Sequence, residues 1–165
     1  MRYFLMATYL RARVDGATFF FTLNLADRRR RLLVDHIDVL RGAFAETKAL
    51  LPFRIDAIVI LPEHLHCMWT LPRTDSDYSE RWRRIKRSFS MALRSARAPD
   101  TPCDNDSAVW QPRFWEHVIR NDADYDAHMD YIHYNPVKHG HVRRTADWPY
   151  SSFHRCVAAG LYPVT

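Results

Sequence analysis

Apolar and polar positions alternate with two different periods along this chain, and the switches between them mark its elements. Phe19-Phe20-Phe21-Thr22-Leu23-Asn24-Leu25 is aromatic and β-branched, follows the turn-like Asp15-Gly16, and predicts a strand. From Val34 to Leu50 the apolar residues Ile37, Leu40, Phe44 and Leu50 recur at helical spacing, with Asp35 near the start and Pro52 as the stop. Phe53–Leu61 and His64–Leu71 read as two strands joined by Pro62-Glu63, a separation that predicts an antiparallel hairpin. Trp82, Ile85, Phe89 and Leu93 form the apolar stripe of another helix, with Arg83, Arg87, Arg94 and Arg97 opposite. Ala98–Ala108 predicts a loop. In Trp110–Arg120, Phe114, Glu116, Val118 and Arg120 alternate with Trp115, His117 and Ile119, as in a strand. Asn121-Asp122 offers an N-cap for a helix from about Ala123 to Tyr134, with Met129 and Ile132 on its core side and Pro136 expected to end or kink it. Val157–Leu161 predicts a short helical segment. The order β-α-β-β-α-β-α predicts an α+β fold: one domain over residues 1–165, a central antiparallel sheet with helices packed on it.

Composition narrows the class. With 47% apolar and 13% aromatic residues, a chain of 165 residues carries enough apolar side chains for a full core. The longest apolar run, Ala57–Pro62, is far too short to cross a bilayer, so no membrane partner is expected. The Met1–Ala7 segment is a poor secretion signal. Cys67, Cys103 and Cys156 lack zinc-finger spacing, and a reducing cytoplasm is the natural setting. Charge is concentrated. Ser79–Arg97 holds Arg81, Arg83, Arg84, Lys86, Arg87, Arg94 and Arg97 against Glu80 alone, +6 in a chain whose total is +5. That element is either a contact for a phosphate-rich partner or a solvated helix face.

Two constellations carry chemistry. His64-Leu65-His66 on a strand places both imidazoles on one face and Leu65 on the other, which makes half of a metal site. Such pairs also occur where nothing binds. Cys67 points to the opposite face, which disfavours a His-His-Cys zinc site and leaves Mg²⁺ or Mn²⁺, completed by a substrate phosphate, open. Further on, Tyr131 and Asn135 stand at i and i+4 and share a helix face. A tyrosine hydroxyl beside a metal-bound phosphate can attack phosphorus and form a phosphotyrosine. Packing residues with wet hydroxyls are the alternative reading of Tyr131 and Tyr134.

Four segments in order give these residues a context: Leu61-Pro62-Glu63-His64-Leu65-His66-Cys67-Met68-Trp69-Thr70-Leu71-Pro72, Trp110-Gln111-Pro112-Arg113-Phe114-Trp115-Glu116-His117, Tyr131 to Gly140, and Asp147-Trp148-Pro149-Tyr150-Ser151-Ser152-Phe153. From about Ala17 to Pro163 the chain resembles the REP-associated tyrosine transposases, relatives of the insertion-sequence single-stranded-DNA transposases in the HUH endonuclease group. The resemblance implies a ferredoxin-like, HUH transposase-like fold. It implies His64 and His66 as ligands of a divalent metal (Mg²⁺ or Mn²⁺), Asn135 as a third polar ligand and Tyr131 as the nucleophile. Tyr134, three positions on, points about 60° away from Tyr131 on an ideal helix. The implied reaction cuts and rejoins single-stranded DNA through a 5′-phosphotyrosine, on the hairpins of repetitive extragenic palindromes.

In that setting Arg81, Arg83, Arg84, Lys86, Arg87 and Arg94 are expected to hold hairpin phosphates. Trp82 is assigned to the core rather than to a stacked base, and Trp110 and Trp115 stay open. A monomer or homodimer acting in the cytoplasm, at the nucleoid, is expected. Two rivals remain: a non-catalytic hairpin-binding protein that keeps the fold, and a metal-dependent phosphohydrolase of another substrate.

Overall fold

The computed structural model describes residues 11–96 and 108–162. The loop expected at Ala98–Ala108, apart from its last residue, lies outside them, as do Arg97 and Cys103. β1 (Thr18–Asn24) runs through the middle of a four-stranded sheet of order β2-β3-β1-β4, made with β2 (Arg54–Ile60), β3 (His64–Thr70) and β4 (Trp115–Val118). Every pairing is antiparallel. With α2 (Ile37–Leu50) between β1 and β2 and α3 (Tyr78–Ser95) between β3 and β4, this is the ferredoxin-like β-α-β-β-α-β arrangement. A short α1 (Leu32–Asp35) precedes α2, α4 (Asp122–Lys138) follows β4, and α5 (Phe153–Ala158) closes the described chain.

The chain enters β1 through Gly16, whose φ of +68° and 3.0 Å separation between a built Cβ and the Arg73 Cα leave room for glycine alone. Period-two alternation then sorts the strand residues onto two faces. Phe19, Phe21 and Leu23 of β1, with Leu65, Cys67 and Trp69 of β3, are all buried on one face. α2 and α3 cover them: Trp82 stacks on Trp69 at 4.3 Å and meets Phe21 and Phe44 edge-on, so the expectation of Trp82 in the core holds. The register sends Thr22 and Asn24 to the other face, opposite His66 and His64, with Thr22 also paired to Trp115 and Phe20 to His117. α4 packs on that second face against β2 and β3.

Four boundaries differ from the sequence reading, among them the short helix expected over Val157–Leu161, which lies at Phe153–Ala158. The helix expected over Val34–Leu50 starts earlier and breaks at His36 into α1 and α2. The strand expected over Trp110–Arg120 contracts to Trp115–Val118: Pro112 has no N–H for a ladder, and Trp110 makes only an isolated bridge to Leu25. Most consequential, Pro136 does not end α4 but lies buried inside it. Its ring removes one N–H from the ladder, toward the Ile132 carbonyl, and the helix runs on to Lys138. The stop is Gly140, at φ +72°: its N–H bonds the Val137 carbonyl at 2.9 Å and the His141 N–H bonds the Pro136 carbonyl at 2.9 Å, a Schellman closure. Asn121 caps the other end, its side chain accepting from the Asp124 N–H at 2.9 Å.

β2 is the edge strand beyond β3, and residues 150–152 close it. The Ile60 N–H bonds the Tyr150 carbonyl at 2.9 Å, the Ser152 N–H bonds the Ile58 carbonyl at 2.8 Å, and Val59 bridges Ser151. No helix among the described residues is long and apolar enough to cross a membrane.

Candidate active site

β3 presents His64 and His66 side by side, ring centroids 5.0 Å apart, while Leu65 between them is fully buried on the opposite face. Both imidazoles are buried, and each is held at Nδ1. His66 meets the Thr22 hydroxyl at 2.8 Å, directly across the β1 register, and His64 meets the Glu63 carboxylate at 2.9 Å. An ionised carboxylate can only accept, so the His64 Nδ1 carries the proton and its Nε2 the lone pair. Burial pushes the His66 ring down to about 3, aided by the neighbouring His64, His139 and Lys138. Burial also lowers His64, against the opposing pull of Glu63. Neutral rings with an outer partner on Nδ1 are what a metal requires of histidine ligands. Cys67 is buried on the far face, its thiol pushed well up by desolvation, and takes no part.

α4 supplies the opposing wall. Tyr131, Asn135 and His139 fall at i, i+4 and i+8, one stripe of the helix. The stripe brackets the histidine pair: Tyr131 lies edge-on to His66 at 5.1 Å, and His139 to His64 at 5.1 Å. Asn135 between them is completely buried, and neither its Oδ1 nor its Nδ2 has a hydrogen-bond partner among the described residues. A buried amide without partners is costly unless a ligand completes it. Its position on the stripe, between the residues that meet His66 and His64, fits a divalent cation held with two imidazoles whose Nε2 atoms have no partner among the described residues. The continuation of α4 through Pro136 is what keeps Asn135 on this stripe and brings His139 to the pair.

Tyr131 is partly exposed, and the Lys138 ammonium lies 4.8 Å from its ring centroid. Tyr134 is more exposed, and makes no ring contact with either histidine among the described residues. Lys138, His139, Glu63 and Thr22 were not singled out by the sequence reading. Lys138 and His139 stand seven and eight positions after Tyr131, on the side of the helix it shares, and extending α4 past the proline would have found them.

A second polar cluster joins β4 to α4. His117 Nε2 lies 2.8 Å from Asp124 Oδ2 and His128 Nδ1 lies 3.1 Å from Asp124 Oδ1, one ligand atom from each of the three within 4.8 Å of the others.

The basic residues of α3 divide into two groups. Arg81 is fully buried, donating to the carbonyls of Asp77 and Pro52 at 2.9 and 2.8 Å, to that of Leu51 at 3.3 Å and to the Asp75 carboxylate at 2.7 Å. That corrects its assignment to the DNA-binding set: it is a brace between the end of α2 and the start of α3, out of reach of a partner. Arg83, Arg84, Arg87 and Arg94 are exposed, the first two paired with Glu80, and Lys86 is partly withdrawn onto the Gln111 carbonyl at 2.8 Å.

No family profile matches the chain. It is 51% identical over 159 residues to the REP-associated tyrosine transposase of Escherichia coli (strain K12), covering 96% of this chain and 90% of that protein. A Haemophilus influenzae protein assigned provisionally to the same family is 44% identical over 161 residues, covering 96% and 92%. Among solved structures, a REP-associated tyrosine transposase bound to a REP hairpin superposes with a TM-score of 0.86 at 51% identity, covering 96% of this chain and 89% of that one. A transposase-like protein of Deinococcus radiodurans shares the fold at a TM-score of 0.50 and 15% identity, over 72% of this chain and 90% of its own.

Proposed function

The chain belongs to the REP-associated tyrosine transposases, and from that premise we propose that it cuts and rejoins single-stranded DNA at REP-type hairpins with Tyr131 as its nucleophile. The observation that carries this reading is the Tyr131–Asn135–His139 stripe laid against His64 and His66, with a partnerless amide buried between them. The hairpin as substrate rests on the solved relative bound to one, at 51% identity over nearly the whole chain.

In the proposed reaction the Tyr131 Oη attacks phosphorus in line, the bond to the 3′ oxygen breaks, and the 5′ phosphate stays on the tyrosine. The 3′ oxygen leaves as a hydroxyl, and that hydroxyl, or another, reverses the step and rejoins a strand. A phenol is protonated at neutral pH and must shed its proton as it attacks. The Lys138 ammonium, 4.8 Å from the ring centroid, favours the negative charge that develops on the phenol oxygen. His64, His66 and Asn135 would hold Mg²⁺ or Mn²⁺, which supplies charge neutralisation at the scissile phosphate. Glu63 and Thr22 fix the two imidazoles for that task. Arg83, Arg84, Arg87 and Arg94, exposed along α3, hold hairpin phosphates and add salt-dependent affinity without reading bases.

The test is a REP-hairpin oligonucleotide incubated with Mg²⁺ or Mn²⁺ and resolved on a denaturing gel. A covalent protein–DNA band is expected from the wild type and none from Tyr131→Phe, which still binds the hairpin. Full activity in Tyr131→Phe sinks the nucleophile assignment, and undiminished activity in His64→Ala sinks the metal role. Tight, salt-sensitive binding with no covalent band from the wild type would instead make this a hairpin-binding protein that keeps the fold.

A further inference from the structure

Beside Tyr131, on the side away from His139, is an open cavity of about 390 Å³ lined by Phe20, Thr22, Trp115, Ala127, His128 and Tyr131. Trp115 is half exposed (51%) although it sits on a sheet strand next to buried neighbours. Its indole is one end of a row of stacked rings. Trp115 and His117 are parallel to within 3° at 5.9 Å, His117 and His128 to within 16° at 4.8 Å, and His128 tilts onto Phe20 at 4.7 Å. Asp124 holds both imidazoles of the row, and the Arg120 backbone N–H and Nε–H lie 3.0 and 3.3 Å from the carboxylate oxygen that meets His117. His128 Nδ1 also lies 2.8 Å from the Asp124 carbonyl. The cluster is thus a hydrogen-bonded brace that fixes the tilt of the rings across the β4–α4 seam.

We propose that this shelf, with Trp115 as its exposed face, stacks the nucleobase adjoining the scissile phosphate and so holds the strand in line for Tyr131. The proposal rests on the assignment of Tyr131 as the nucleophile, because Tyr131 is a wall of the cavity and the strand it attacks must pass the opening. An exposed indole on a rigid strand is the side chain that recognises a base irrespective of sequence, since every base has a π-face. Arg120, its side chain 74% exposed at the end of the same seam, offers a cation for the neighbouring phosphate. The shelf adjoins the metal-ligand pair beside one tyrosine: Phe20 stacks on His66 at 5.6 Å, and the two rings meet Tyr131 at 5.9 and 5.1 Å.

The experiment compares wild type, Trp115→Ala and Trp115→Phe on hairpin oligonucleotides that are intact or abasic at either nucleotide flanking the cut. On intact DNA, Trp115→Ala is expected to slow single-turnover adduct formation by about 5- to 150-fold, the span of base–aromatic stacking, with Trp115→Phe recovering most of it. On the oligonucleotide abasic at the stacked position, wild type and Trp115→Ala should react alike. In parallel, 2-aminopurine placed at that position should be quenched on binding to Tyr131→Phe protein but not to Tyr131→Phe/Trp115→Ala. Equal rates for wild type and Trp115→Ala on intact DNA, or the same loss on intact and on both abasic substrates, overturns the shelf. Because quenching needs no chemistry, it separates the two failures: an adduct that survives Tyr131→Phe while quenching persists removes the nucleophile and leaves the shelf, and absent quenching with a Tyr131-dependent adduct does the reverse.

Discussion

The two faces of this sheet are made by the same strands, alternate residues apart, and they have opposite characters. Beneath α2 and α3 the strands carry fully buried aromatic residues, Phe19, Phe21 and Trp69, which contact Tyr78 and Trp82 of α3. Beneath α4 the same strands carry Thr22, His64, His66 and His117, and α4 answers with Tyr131, Asn135 and His128. One face holds the fold; the other accepts buried imidazoles and a buried amide with no partner among the described residues. Precision on the second face comes from strands that are immobilised by the first, which is how a site with polar costs can be positioned within tenths of an ångström.

Four measurements can break or sharpen that contrast. The largest effect is expected from Trp82→Ala, which empties the centre of the dry face and should cost about 3–5 kcal/mol of unfolding free energy. At a temperature where the variant is folded, its rate of DNA adduct formation should match the wild type; loss of that chemistry without loss of stability would mean that the faces are not separable. Acid comes next. His133, on α4, is buried against Ser152 at 2.8 Å and Tyr162 at 3.1 Å, and burial pushes its pKa down to about 4. Between the ordinary value near 6.5 and about 4, the unfolded chain takes up a proton that the folded one refuses, so stability falls as pH drops through that window. The loss approaches about 3 kcal/mol by pH 4 and is regained on returning to neutrality. Hydrogen exchange should show α4 amides opening before those of α3; equal protection of both would contradict it.

Asn135→Leu should leave stability unchanged or raise it by about 1 kcal/mol, because an apolar isostere replaces a partnerless buried amide. The same variant should bind Mn²⁺ at least about tenfold more weakly by calorimetry. A clear destabilisation would show that the amide has structural work to do. The smallest effect belongs to Arg84→Ala: a change in stability within about 0.5 kcal/mol, with the slope of log affinity for the hairpin against log salt reduced by about one. An unchanged slope removes Arg84 from the interface.

Much of this contrast is legible in the residues alone. Period two places His64 and His66 together, sends Leu65 and Cys67 behind the sheet, and separates Trp115 and His117 from Glu116 and Val118. Helical spacing joins Tyr131 to Asn135. What stayed hidden depends on tertiary context. A proline reads as a helix stop, yet the lost N–H of Pro136 was tolerated where packing buries the ring, so the reach of α4 to Lys138 and His139 was missed. Arg81 sits in a run of arginines and looks like its neighbours; only the fold brings the Leu51 and Pro52 carbonyls to it. The ring row of Trp115, His117 and His128 spans a strand and a helix, so no local period announces it.

The closed edge at β2 has a consequence for how copies of this chain meet. With the outward carbonyl of Ile58 and N–H of Ile60 already bonded to residues 150–152, that border has no free ladder there to offer a neighbour. Two copies of the chain therefore cannot fuse into one continuous sheet there. Any pairing on that side has to be made by side chains, and so can be loosened by point substitution without touching the sheet.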